Sequence, residues 1–146
     1  MAAPVPFRPL PVDLDDVRYE LGPDSRRRPD VPPGRTVELR LDDSAVYPGT
    51  TRRVWLHVPA GLDTDADPAT PAGSADPAGL LVFQDGWWYL DPEGDVRGGI
   101  VLDNLVHDGA IPPTIGVFVD PGVFPDLIDP TARKNRNAEY DAADDR

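Results

Sequence analysis

A chain of 146 residues, 40% hydrophobic, is long enough for one compact domain and too short for two large ones. Its formal charge of -12 and pI near 4.3 set it against a nucleic-acid phosphate backbone, whose binding relies on clustered Lys and Arg releasing counterions. Without cysteine there is no disulfide, thiolate nucleophile or sulfur-ligated zinc site, and no window approaches the roughly 18 consecutive apolar residues of a membrane span. The start MAAPVPFRPLP lacks the charged opening and apolar centre of a secretion signal, so the chain is expected to be cytoplasmic. Lys134 is its single lysine and Ala, Asp, Gly and Pro abound, a usage that suggests a GC-rich bacterial gene.

Residues 1–35 read as a proline-rich arm, with an acidic patch at Asp13, Asp15 and Asp16 and a basic triplet at Arg26, Arg27 and Arg28. From residue 36 the pattern changes. Val37, Leu39 and Leu41 alternate onto one face, and Val54, Leu56 and Val58 repeat the pattern beyond Tyr47-Pro48-Gly49. Two antiparallel strands joined through that turn are the simplest arrangement. Residues 62–79 form a loop of Asp, Pro, Ala, Thr and Gly. Its Asp63, Asp65 and Asp67 imitate the start of a calcium loop, but Pro68 and Ser74 stand where that loop needs Gly and Glu.

Leu80 to Phe83 is a continuous apolar run, as expected of a parallel strand covered on both faces. Val101, Leu102, Leu105 and Val106 then share a helical face, with Gly109 placed to cap the helix end. After Pro112-Pro113, Ile115 to Val119 makes another strand. Strand, helix, strand at this spacing is a βαβ unit, so the fold class is α/β: an antiparallel pair leading into a parallel unit.

Open α/β sheets bind ligands beyond the carboxyl ends of their parallel strands. Asp85-Gly86-Trp87 and Asp120-Pro121-Gly122 are two such ends and should share one rim. A glycine just past a strand permits a sharp turn and frees the next amide, so the N–H of Trp87 or Gly86 is a candidate oxyanion donor. Trp87, Trp88 and Tyr89 are candidate pocket walls, although consecutive residues cannot all face one way. Neither histidine stands beside a nucleophile: His57 falls in a strand next to Trp55 and reads as a packing residue, and His107, in the last helical turn, suits the helix dipole. Ser25, Ser44 and Ser74 lie outside any G-x-S-x-G pattern. A phosphate-binding loop, a dinucleotide fingerprint and an H-E-x-x-H helix are absent as well, so no cofactor or metal is expected.

The ordered blocks GPDSRRRPDVPPG, SAVYPGTTRRVWLHVPAGL, LLVFQDGWWYLD, VLDNLVHDGAIPPTIGVFVDPG and RNAEYDAADDR resemble the bacterial enterochelin-esterase-like esterases, α/β-hydrolases related to esterase D and the antigen 85 mycolyltransferases. The resemblance runs from about Phe7 to Arg146. It implies hydrolysis of a small-molecule carboxylic ester, with no nucleic-acid or membrane partner, and makes residues 36–146 the N-terminal half of a hydrolase domain. Trp87 then matches the family's oxyanion-hole amide, Trp88 and Tyr89 border the substrate pocket, and Arg136 matches the Arg of an R-x-x-E-Y block near the site, where it would meet a polar or anionic substrate group. Glu139 and Tyr140 of that block are expected to be structural. The family's nucleophilic Ser, acid and His follow these blocks and match no position here, so this stretch is expected to carry the oxyanion side of a site and to be inactive alone. The alternative is a ligand-binding or partner-binding fragment without catalysis.

Overall fold

The computed structural model describes residues 20–62, 78–125, 135–136 and 139–140. The acidic patch of the arm and the calcium-like aspartates lie outside the described residues. Strands β1 (Arg35–Leu41) and β2 (Arg52–Val58) pair antiparallel, with Thr36 opposite His57 and Glu38 opposite Trp55. Between them the Thr50 amide donates to the Tyr47 carbonyl, closing the turn expected at Tyr47-Pro48-Gly49. Strand β3 (Gly79–Gln84) leads into a short helix α1 (Gly86–Leu90), then α2 (Gly98–His107), then β4 (Thr114–Val119). β4 runs parallel to β3 over its whole length and antiparallel to β2, giving the order β1-β2-β4-β3. The fold class is α/β with a mixed sheet, and the strand–helix–strand unit is present as the sequence indicates.

Helix α2 ends where glycine allows it. Gly109 takes φ +68°, its amide donates to the Val106 carbonyl and that of Ala110 to Leu105, the paired bonds of a Schellman cap. Both helices lie on one face of the sheet. There Trp55, Leu90, Leu102 and Phe118 form the buried core, and Phe83 stacks on Phe118 with centroids 4.6 Å apart. Each such large apolar side chain contributes roughly 1.5–3 kcal/mol on burial. Residues 20–34 follow the outer side of α2: the buried amide of Asn104 donates to the carbonyls of Asp24 and Arg26, and Val31 is buried.

One expectation is corrected, and two further features emerge only from the structure. Leu80 to Phe83 is not covered on both faces among the described residues, because β3 is the sheet edge and Leu80 and Val82 are 64% and 62% exposed. Ile115 to Val119, the last strand in chain order, lies between β2 and β3. The crossover through the helices carries the chain past β3 and inserts β4 next to β2, so chain order and spatial order differ. Finally, the aliphatic alternation of β1 and β2 marks the less covered face. Val37 and Leu39 stand opposite Leu56 and Val54, and none of these four is fully buried, whereas Trp55 and His57 on the helix side are.

Candidate functional site

The ends of β3 and β4 do form one rim. Asp85 leaves β3 in the left-handed region (φ 56°, ψ 49°), which Asp tolerates better than most residues but which still costs backbone energy. Its carboxylate is held from outside: Arg136 Nε donates to Oδ1 at 2.7 Å and Nη2 to Oδ2 at 2.6 Å, a bidentate grip. Gly86 follows with an ordinary φ. The sharp turn is therefore made by Asp85, and glycine is required for another reason: a Cβ at residue 86 would lie 2.5 Å from Phe118 C and Val119 N. That close approach seats the start of α1 directly on the end of β4.

The backbone N–H of Trp87 then points at the neighbouring strand end and donates to Asp120 Oδ1 at 2.9 Å. Asp120 Oδ2 is in turn bound by Arg53 Nη2 at 2.9 Å. An anionic oxygen thus sits on this amide at the distance an oxyanion would take. The three aromatic side chains diverge, as consecutive residues must. Trp87 leans on Trp55 with centroids 5.6 Å apart, Tyr89 leans on Phe83 at 5.6 Å, and Trp88 is 55% exposed.

The R-x-x-E-Y block fastens the rim. Besides Arg136 on Asp85, the buried carboxylate of Glu139 accepts from the Gly122 amide at 3.0 Å and from Arg52 Nη1 at 3.1 Å. Tyr140 donates its hydroxyl to the Val119 carbonyl at 2.9 Å. Burial, followed by the nearby Glu139 charge, pushes the Tyr140 phenol up to about 12. Glu139 and Tyr140 act as structural ties, and the Arg136 guanidinium is engaged by Asp85.

One cluster escapes the sequence reading. His57 is buried, its Nε2 lies 2.9 Å from Asp103 Oδ1, and its Nδ1 lies 2.9 Å from Thr36 Oγ1. Asp103 also accepts from the Gly34 amide at 3.0 Å. The available signal was weak: an Asp-Asn pair inside an otherwise apolar helical stretch, Leu102 to Val106, where a charged residue ordinarily marks the solvent side. Among the described residues no group of three His, Cys, Asp or Glu side chains could hold a metal ion, and no helix is long and apolar enough to cross a membrane.

No protein-family model matches the chain, and no curated protein sequence matches it. Among solved structures the chain is similar to that of FAE, with a TM-score of 0.51 and 16% identity, over 82% of this chain and 38% of that one. At that identity the likeness is one of fold alone.

Proposed function

We propose that this chain supplies the oxyanion side of a carboxylic-ester hydrolase of the α/β-hydrolase type, similar to the enterochelin-esterase-like esterases. The observation that carries the reading is the Trp87 amide, presented at the sheet rim by left-handed Asp85 and tightly seated Gly86, with an anionic oxygen already on it. The α/β fold likeness to FAE is compatible with it. In the proposed reaction a serine hydroxyl gives its proton to a base and attacks the ester carbonyl, whose oxygen becomes an oxyanion and replaces Asp120 on the Trp87 N–H; the ester C–O bond then breaks, the alcohol leaves with that proton, and water cleaves the acyl-serine to the free acid and serine. Trp88 and Tyr89 would face the acyl or aryl part of the ester. Arg136 supports the turn through Asp85 and, with its side chain 32% exposed, would also meet a polar or anionic group of the substrate. The serine, its base and its acid match no position in these 146 residues, and the chain spans 38% of the FAE chain.

The test is to read the gene past codon 146, then assay the 146-residue chain and any longer product on a p-nitrophenyl ester. The expected result is a frame continuing into G-x-S-x-G, an inactive short chain, and a longer product inactivated by a serine-directed phosphonate. A stop with no such motif downstream overturns the proposal and leaves a non-catalytic binding fragment.

A further inference from the structure

A cleft of about 400 Å³ opens between the β1/β2 face and the two helices, lined by Thr36, Glu38, Trp55, Trp87, Leu90 and Ile100 among others. Its volume falls in the range of small-molecule sites, roughly 300–1,000 Å³. Apart from Trp87, whose ring borders it, these residues are not part of the rim.

The buried cluster decides what the cleft can recognise. Asp103 accepts hydrogen bonds from Gly34 and Arg27 and lies 2.9 Å from His57 Nε2, while His57 Nδ1 lies 2.9 Å from Thr36 Oγ1. Whichever of that last pair carries the hydrogen, Thr36 Oγ1 keeps a lone pair and can accept from a ligand in the cleft. Two residues along the same strand face stands Glu38, whose carboxylate receives the Trp55 indole N–H at 3.0 Å and makes no ion pair among the described residues. Side chains two apart on a strand are separated by about 7 Å, the reach of one small ligand. The cation on the lining, Arg27, is matched by Asp103 at 3.5 Å. The wall therefore offers two acceptors, one of them anionic, beside an indole face and aliphatic side chains, in a molecule of net charge -12.

We infer that this cleft binds a small organic ammonium ion with an apolar body: the ammonium donates to Glu38 and Thr36, and the body lies on Trp87, Leu90 and Ile100. The inference does not depend on ester hydrolysis. It is tested by titrating the 146-residue chain with 2-phenylethylammonium and with 3-phenylpropionate, which keeps the ring and reverses the charge, following binding by calorimetry. Saturable one-to-one binding of the amine, weaker by about tenfold or more in Glu38→Gln and in Thr36→Val but retained in Thr36→Ser, is the expected result. Unchanged thermal midpoints in the variants show that the fold is intact. Equal or tighter binding of the carboxylate, an undiminished affinity in Glu38→Gln, or no saturable binding of the amine overturns it.

Discussion

Two residues at the end of β3 divide a task that is easily credited to one. Asp85 takes the left-handed backbone and Arg136 holds its carboxylate, while Gly86 has no Cβ because the β4 backbone is against it. Gly86→Ala should therefore cost about 3 kcal/mol in urea unfolding, since the clash is with main chain that cannot rotate away. A cost below about 1 kcal/mol would show that α1 lifts off β4 easily. Glu139 offers a second test at this scale. Its carboxylate is 2% exposed and its partner Arg52 10%, so Glu139→Ala leaves a buried guanidinium and the Gly122 amide without their acceptor. The expected loss is about 3–5 kcal/mol, mostly the penalty of the stranded charge rather than the worth of the pair. The Arg52→Ala, Glu139→Ala double variant should recover part of it, which a double-mutant cycle reads directly.

At the scale of elements, the sheet is lopsided. Helices α1 and α2 cover the side bearing Trp55, His57 and Phe118, and among the described residues β3, with its Leu, Leu, Val and Phe, has an unpaired edge. Edge strands in soluble proteins are ordinarily guarded by charge, proline or a bulge, and the described part of β3 has none of these. The 146-residue chain should accordingly self-associate as its concentration rises, and Val82→Lys should reduce that association without lowering the unfolding midpoint, because the side chain points to open solvent. Sedimentation velocity of the two proteins decides it. Equal association would place the contact elsewhere. Periodicity could not have foreseen the edge: a continuous apolar run marks a strand built to be covered, and coverage depends on which neighbour arrives.

For the whole molecule, charge sets the pH behaviour. The Tyr140 phenol is raised from its ordinary 10 to about 12, chiefly by burial. Between those values the unfolded chain releases a proton that the folded one keeps, so the stability present below pH about 10 is lost as the pH climbs toward about 12. Tyr140→Phe should flatten the unfolding midpoint across that window while lowering it at neutral pH, since the hydroxyl no longer ties Val119. The difference in phenolate absorbance between the unaltered chain and Tyr140→Phe, which share Tyr19, Tyr47 and Tyr89, reports the same group independently. At the acid end Asp30 and Asp108 are held low by hydrogen bonds from Arg28, and Asp42 by Thr51 and then Arg40. Their contribution is present above the ordinary carboxylate value and fades as the pH falls through their lowered values; exposure keeps it small. The sequence by itself determined the α/β class, the two strand pairs, the Tyr47-Pro48-Gly49 turn, the Gly109 cap and the meeting of the Asp85 and Asp120 ends, because each rests on a local period or a local backbone preference. Only the tertiary structure decided that β4 sits inside and β3 outside, that Asp120 occupies the Trp87 amide, and that Asp103 is buried on His57. Those depend on contacts between segments far apart in the chain, where one hydrogen bond or one close backbone approach outweighs any pattern along it.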